Sequence, residues 1–247
     1  MTLDAVARLR TVSLDELNRS ADLLTRTDRK YVVDHVGLHA LLADHADRLV
    51  SLEIDGRRSF RYRSLYFDTP DVALHRAAAT DRRHRVKVRT RVYDDTGTAM
   101  LEVKAKDGRG RTVKHRQPHD LDRVAELGDD GMTFVDGVTR SPGLAASLVP
   151  TLETRYRRAT VVDPVTDSRA TIDVDLVCTH VDGRSVAFDK VIVETKSDLT
   201  PGPLDRWMWR HGHRPEPISK YCTALALLDP ALPGNKWHRT IARHFAA

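Results

Sequence analysis

The sequence predicts an α+β fold in which an antiparallel eight-stranded β-barrel is flanked by short helices. Seven or eight segments alternate polar and apolar residues with a period of two, as strands with one face on a core do. Short turn-forming segments separate neighbouring strands, which favours antiparallel hairpins. A chain of 247 residues is long enough for one large domain of this kind, and eight strands suffice to close a barrel.

Composition excludes several classes of protein. Hydrophobic residues make up 40% of the chain and charged residues 30%, and the mean hydropathy of −0.43 is that of a globular protein rather than a disordered one. No run of 18 apolar residues predicts a membrane span, and residues 1–20 lack the apolar core of a secretory signal. Cys178 and Cys222 have neither metal-type spacing nor a disulfide framework, so we expect a cytoplasmic location.

The N-terminal third predicts helices and strands in turn. Ser13 and Glu16 form a capping-box pattern at the start of a helix. Residues 26–34 look extended, and residues 34–48 have the spacing of an amphipathic helix. A strand over 59–70 stops at a Thr-Pro pair, and a short helix follows over 70–79.

The remainder predicts mainly hairpins. Strands over 84–93, 98–106 and 111–117 are joined by turns at 94–97 and 107–110. Helices follow over 119–127 and 141–148. Strands over 150–163 and 168–180 form a second hairpin, and residues 189–197 form one more strand. Two further helices cover 201–212 and 218–228.

The strand over 84–93 has one wholly cationic face. Arg85, Lys87, Arg89 and Arg91 alternate with Val86, Val88, Thr90 and Val92, and alternate residues of a strand point to opposite faces. Similar polar faces follow on the later strands, where a few acids lie among the bases: Glu102, Glu153, Asp173, Asp175 and Glu194.

A solvated polar face is the ordinary interpretation of one such strand. Repetition on neighbouring strands is harder to explain in that way, because like charges opposite one another repel. A polyanion would offset that repulsion, and carboxylates among the bases suit a hard divalent cation. The pattern therefore favours a metal–polyphosphate site. Aromatic residues are only 6% of the chain, and valine rather than stacking rings lies between the bases, which disfavours nucleic acid.

Other motifs are missing or weak. The sequence contains no phosphate-binding P-loop, dinucleotide-binding turn, nucleophile elbow or H-E-x-x-H zinc motif. His211 and His213 are a poor candidate for a zinc site. Trp207 and Trp209 are better explained by helix packing than by nucleotide stacking.

Nine motifs in order resemble the VTC domain, the polyphosphate polymerase module of the triphosphate tunnel metalloenzyme (CYTH-like) superfamily. They are RTDRKY, SLYFDTPD, RVKVRTRVY, LEVKAK, KHR, RYRR, RATID, VIVETK and SKYC. The resemblance spans residues 20–228 as a tunnel domain, with 1–19 as a lead-in and 229–247 as a C-terminal tail. It implies the eight-stranded tunnel barrel and transfer of the γ-phosphate of a nucleoside triphosphate to polyphosphate.

The resemblance also implies site residues. Catalytic roles fall to Lys30, Arg89, Arg91, Lys104 and Lys220. Phosphate binding falls to Lys114, Arg155 and Arg169, and the strand faces add Arg85, Lys87, Arg116 and Lys196. Glu194 corresponds to a metal-binding glutamate, with Asp173 or Glu102 as a second candidate ligand of Mn²⁺ or Mg²⁺.

One departure concerns the first strand. Triphosphatases of this superfamily carry E-x-E-x-K there, whereas this chain has Arg26 and Asp28 at the two glutamate positions before Lys30. The loss of one carboxylate favours a polymerase that uses ATP or another nucleoside triphosphate. Two alternatives stay open: a triphosphatase acting on inorganic or nucleoside triphosphate, and a non-catalytic polyphosphate-binding module. SPX and membrane segments are not present in the sequence, and a membrane-protein partner is an open question.

Overall fold

The computed structural model describes residues 3–21, 27–106, 112–197 and 200–245. The strands of these residues are β1 (Arg10–Val12), β2 (Thr27–Val33), β3 (Val50–Leu52), β4 (Phe60–Asp68), β5 (Val86–Tyr93), β6 (Thr98–Lys106), β7 (Thr112–His119), β8 (Val149–Asp163), β9 (Ser168–His180), β10 (Ser185–Phe188) and β11 (Val191–Ser197). The α-helices are α1 (Asp4–Ala7), α2 (Leu14–Ala21), α3 (His35–Ala43), α4 (Ala73–Ala79), α5 (Gly128–Thr139), α6 (Pro203–Arg210), α7 (Lys220–Leu228) and α8 (His238–His244). Single 3₁₀ turns cover Leu121–Arg123, Ala145–Ser147 and Asn235–Trp237.

The chain divides into two compact units, each assembled from segments that are distant in sequence. The first unit comprises Met1–Phe60, Tyr156–Leu176 and Phe188–Pro217. The second unit comprises Arg61–Arg155, Val177–Ala187 and Ile218–Ala247.

The strand order is β2-β11-β9-β8-β4-β5-β6-β7, and the pairs with a defined register along it are antiparallel. The predicted α+β class and antiparallel sheet are confirmed. The predicted closure into a barrel is wrong, because β2 and β7 end the order and are not paired with each other among the described strands. The composition of β7 explains this: its residues Thr112–Arg116 are exposed and Pro118 lacks an N–H, as in an edge strand protected from further pairing.

The core of the first unit lies between the sheet and helices α1, α3 and α6. Tyr31, Val193 and Ile172 share one row of the sheet, and Leu38, Leu41 and Trp207, among others, are buried in the same cluster. Asp205 is fully buried in this unit and accepts hydrogen bonds from Tyr31 Oη at 2.8 Å, Thr195 Oγ1 at 2.6 Å and Gly202 N at 2.9 Å. These bonds satisfy the carboxylate and fix the start of α6 on β2 and β11.

The core of the second unit lies between β4–β6 and helix α5. Val88 on β5 is directly opposite Val103 on β6, and both are buried with Phe67, Leu101 and Val135. Gly131 permits the close approach of α5, since a Cβ at this position would lie 3.1 Å from Leu101 Cδ2. The apolar face that the sequence predicts for β5 and β6 is therefore the face on this core.

Most predicted elements are confirmed, with corrections. The Ser13–Glu16 capping box forms at the start of α2, and helix α3 ends at Ala43 rather than at residue 48. The helix predicted over 119–127 is wrong: this segment contains only the 3₁₀ turn Leu121–Arg123. The α-helix of this region, α5, begins at Gly128. Strands β1, β3 and β10, of three or four residues each, are too short to give a periodic signal. Arg26 and the turn at 107–110 lie outside the described residues.

Among the described residues, no helix has the length and apolarity needed to cross a membrane.

Candidate functional site

The second unit carries a sheet face on which cations gather. Strand register places Arg89 between Tyr66 and Glu102, and Lys87 opposite Lys104. Strand β7 extends the same rows, with Arg116 opposite Glu102 and Lys114 opposite Lys104. We call this surface the cationic face; its members are Lys87, Arg89, Arg91, Lys104, Lys114 and Arg116.

Glu102 lies among three of these cations. Its carboxylate accepts from Arg89 Nε at 2.8 Å and from Lys114 Nζ at 3.2 Å, and lies 4.0 Å from Arg91 Nε. The side chain is fully buried. Burial alone would raise the pKa of Glu102, but Arg89, Arg91 and Lys114 overcome it and hold the pKa far below its usual range. Glu102 is therefore an ionised partner that orients the cations.

Three lysines form one row across neighbouring strands. Lys87, Lys104 and Lys114 are directly opposite one another on β5, β6 and β7. Burial, partly offset by Glu102, lowers the pKa of Lys114, and Arg91 and Arg89 lower it further. Like charges at facing positions are destabilising without an anion between them.

The pKa of Tyr66 reflects the positive electrostatic potential of this face. It is buried, and burial normally raises the pKa of a phenol. Here Arg89, Arg91, Lys87 and Lys220 together outweigh burial and lower the pKa of Tyr66. The Arg89 guanidinium also donates to Tyr66 Oη at 2.8 Å. The cations thus favour negative charge at this position.

Helix α7 brings Lys220 to the same neighbourhood. Ser219 caps the helix by accepting from Cys222 N at 3.3 Å, and it also accepts from Lys87 Nζ at 2.8 Å. Tyr221 stacks on Tyr66 with ring centroids 4.8 Å apart. The SKYC motif therefore attaches the start of α7 to the cationic face.

Asp68, from the SLYFDTP motif, fixes the helices next to this face. It is fully buried and accepts from Tyr221 Oη at 2.6 Å and from the backbone N–H groups of Leu74 and His75 at 2.8 Å. It therefore joins the end of β4 to the start of α4 and to α7. The sequence motif pointed to a family but not to this structural role.

Two further predicted phosphate-binding residues lie elsewhere in the second unit. Arg85 precedes β5 and pairs with Asp81. Arg155 is exposed and pairs with Glu153 at 2.5 Å.

The first unit has a polar sheet face of different composition. Glu194 is opposite Lys30 on β2 and Thr171 on β9, and Lys196 is opposite Asp28 and Arg169. Lys196 Nζ lies 3.4 Å from Asp28 and 3.8 Å from Glu194. We call this surface the mixed-charge face; its members are Asp28, Lys30, Arg158, Arg169, Asp173, Glu194 and Lys196.

Arg158 is the member that the sequence analysis missed. It binds Asp173 with two hydrogen bonds, of 2.5 Å and 2.8 Å, and the Asp173 side chain is only 1% exposed. Burial would lower the pKa of Arg158, but Asp173, Tyr156 and Glu194 raise it well above its ordinary value. Strand alternation places Arg155 and Arg157 on one face of β8 and Arg158 on the other. The backbone at Asp175 has a left-handed φ of 54°, and such irregularities within a strand cannot be read from a period of two.

Few of the carboxylates on the two faces are available to bind a divalent ion. Asp173 is taken up by Arg158, and Glu102 by Arg89 and Lys114. Among the residues that the structure describes, no three His, Cys, Asp or Glu side chains gather as a metal cage would require. Glu194, 17% exposed, suits an ion that is bound mainly by phosphate oxygens and by one protein carboxylate, which is how Mg²⁺ commonly binds to proteins.

Solved structures with a similar fold are known. The chain aligns with a candidate adenylyl cyclase from Hippeastrum that has a dominant triphosphatase activity, at a TM-score of 0.50 and 13% identity, over 84% of this chain and 99% of that one. A candidate adenylate cyclase from Bacillus halodurans aligns at a TM-score of 0.47 and 13% identity, over 76% of this chain and 87% of that one. At these identities the likeness concerns the fold alone.

Sequence comparison identifies the family. No curated protein sequence matches the chain. The sequence model of the VTC domain matches residues 25–229, which include both polar faces and the motifs that suggested the resemblance. The chain belongs to the VTC domain family.

Proposed function

We propose that this protein is a polyphosphate polymerase that transfers the γ-phosphate of ATP or another nucleoside triphosphate to a growing polyphosphate chain. The observation that carries the proposal is the cationic face, on which six cations accompany one buried carboxylate. Phosphoryl transfer depends on positioning and charge neutralisation more than on covalent help from the protein. A surface with this excess of cations is suited to that task.

The arginines and lysines would divide the work. Arg89 and Arg91 are 9% and 6% exposed, so their positions are restricted, and a guanidinium can bind two phosphate oxygens at once. Lys87, Lys104 and Lys114 would act as point charges along the phosphate chain. Arg116 would extend that charge at the exposed edge, and Lys220 would add a charge at the start of α7.

The reaction needs no general base. The nucleophile is a terminal oxygen of the acceptor phosphate or polyphosphate, which is already ionised at neutral pH. It forms a bond to the γ-phosphorus as the bond to the β-phosphate oxygen breaks, and the nucleoside diphosphate leaves with that electron pair. Arg89 and Arg91 would stabilise the charge on the equatorial oxygens during transfer. Water in place of the acceptor would give hydrolysis.

We propose Mn²⁺ or Mg²⁺ as the cofactor, with Glu194 as its protein ligand. When bound, such an ion neutralises phosphate oxygens and acts as a Lewis acid. Lys30, Arg169 and Lys196, which lie on the mixed-charge face with Glu194, are proposed phosphate-binding residues. Asp173 and Glu102 are weaker candidates for the metal, because each would first have to release a buried cation.

Incubation of the purified protein with ATP and Mn²⁺ tests the proposal. We expect a product ladder on a gel stained for polyphosphate, and nucleoside diphosphate in equal amount to the phosphate incorporated. Arg91→Ala should abolish the ladder, and Arg239→Ala, which removes an exposed arginine of the C-terminal segment, should not. Free phosphate without a ladder would indicate a triphosphatase instead. Tight polyphosphate binding without turnover would indicate a binding module.

A further inference from the structure

The cationic face continues beyond Lys87 to a cluster that includes a residue from outside the family match. Arg85 directly precedes β5, and its carbonyl accepts from Lys106 N at 3.3 Å. Lys236 lies in the 3₁₀ turn Asn235–Trp237 and donates to Asp81 Oδ1 at 2.5 Å. Asp81 also pairs with Arg85. One carboxylate thus holds together two cations from distant parts of the chain.

The position of Lys236 is fixed by its neighbours. Trp237 is 3% exposed, and its ring lies 5.6 Å from that of His75 on α4. His75 Nε2 lies 3.1 Å from the carbonyl oxygen of Pro233. Lys236 is therefore presented from a packed segment rather than from a loose terminus.

Charge at this cluster is not balanced. Asp81 carries one negative charge against Arg85 and Lys236, and its side chain is 66% exposed. Burial together with Arg85 and Lys87 lowers the pKa of Lys236, so its ammonium group is close to other cations. An exposed carboxylate shared in this way is readily exchanged for a phosphate group, which brings more charge to the same cations.

Distance separates this cluster from the centre of the cationic face. Arg85 and Arg91 are six residues apart along an extended segment, which spans about 20 Å. A triphosphate is much shorter than that, so it cannot reach both ends at once. A long polyphosphate can.

We propose that Lys236 and Arg85 form a distal subsite that binds polyphosphate chains too long to be held by the central arginines alone, with Asp81 occupying the subsite in the absence of the chain. This inference rests on the proposed function. It assigns Lys236 a role in chain-length preference rather than in phosphoryl transfer itself.

Binding of tripolyphosphate and of long-chain polyphosphate at one fixed salt concentration tests the subsite, since screening would otherwise obscure it. Lys236→Ala should weaken long-chain binding roughly three- to tenfold and leave tripolyphosphate binding within about twofold. Asp81→Ala should tighten long-chain binding, because it removes the competing carboxylate. A purely structural ion pair would not move the two variants in opposite directions. Arg239→Ala, which removes a positive charge three residues away, is the matched control.

Four outcomes would overturn the inference. Equal effects of Lys236→Ala and Arg239→Ala on long-chain binding would show only a general charge effect. Equal weakening of both ligands by Lys236→Ala would place the lysine at the centre of the site. Wild-type protein that binds neither ligand would overturn the proposed function as well, whereas unchanged binding of both ligands by Lys236→Ala would overturn the subsite alone.

Discussion

The two units carry polar sheet faces that differ in how their charges are neutralised. On the mixed-charge face four cations accompany three carboxylates, and Arg158–Asp173 and Lys196–Asp28 are direct ion pairs. On the cationic face six cations accompany one carboxylate, Glu102, and three of them, Arg89, Arg91 and Lys114, lie within 4.0 Å of it. The first arrangement neutralises itself to a large extent. The second retains an excess of positive charge that an external anion can neutralise.

This difference separates the buried pair Arg158–Asp173, whose charges are structural, from the crowded cations of the cationic face, which we propose as binding charges. A buried ion pair contributes most when one partner is removed, because the remaining charge is left without compensation. A cation in a crowded like-charge group contributes little to the stability of the free protein but much to the affinity for an anion. Substitutions in the two faces should therefore have opposite signatures in stability and in binding.

The largest expected effect is on stability in the first unit. Asp173→Ala should lower the free energy of unfolding by about 3–5 kcal/mol, because it leaves Arg158 buried without its partner. Arg157→Ala is the matched control: it removes one partner of the exposed pair Arg157–Asp175 on the same two strands and should cost about 0–1 kcal/mol. Denaturant unfolding measures both. Similar losses in the two variants would contradict the assignment of Asp173 as a buried structural charge.

Glu102→Gln should also destabilise the protein, by about 3 kcal/mol, since three cations lose their common carboxylate. Unlike the loss at Asp173, this loss should be recovered largely by tripolyphosphate, whose charge replaces that of Glu102. The measurement is the melting temperature with and without the ligand. A ligand-induced rise no larger than that of wild type would show that the cations around Glu102 do not meet the phosphate.

The pH dependence of stability should identify Glu102 further. Its pKa in the folded protein is lowered, so the unfolded chain binds more protons between the two pKa values, and stability decreases as the pH is lowered through that range. The contribution of Glu102 is complete above about pH 5 and is lost as the pH falls from about 4.3. The difference in unfolding free energy between wild type and Glu102→Gln should therefore shrink in acid. A constant difference between pH 7 and pH 3 would exclude this linkage.

Lys220→Ala should have the smallest effect on the free protein, within a few tenths of a kcal/mol, because its side chain is partly exposed at the start of α7. Its ligand-induced rise in melting temperature should nevertheless be smaller than that of wild type. An equal rise in both proteins would show that Lys220 does not contribute to phosphate binding.

Much of the fold was predictable because long strands repeat their pattern. The faces of β5 and β6, the turn between them and the hairpin of β8 and β9 follow from alternation and turn residues alone. The short strands β1 and β3 depend on tertiary pairing with one another, for which three residues give no periodic signal. The prediction of a closed barrel was wrong for a related reason. Alternation predicts where strands lie, but it does not predict which strands pair with one another.

The cationic face was predictable residue by residue, but its energetics were not. Alternation placed Lys87, Arg89 and Arg91 together. Repulsion between like charges on one strand face would, by itself, predict that removal of Arg89 leaves the free protein at least as stable. The hydrogen bond from Arg89 to buried Glu102 makes that expectation unsafe, so Arg89→Ala is a poor test of binding. Arg158 was missed because its role depends on Asp173 across the sheet, which no local pattern reveals.

Thermal unfolding with and without tripolyphosphate tests the central claim most directly. The proteins to compare are wild type, the double variant Arg91→Ala/Lys104→Ala on the cationic face, and Arg157→Ala in the first unit, which removes one exposed cation and serves as the control. Ligand at 100 times its dissociation constant should stabilise wild type and Arg157→Ala by about 2.7 kcal/mol, and the double variant should gain almost nothing. An undiminished gain in the double variant would contradict the claim that the cationic face is the phosphate-binding surface.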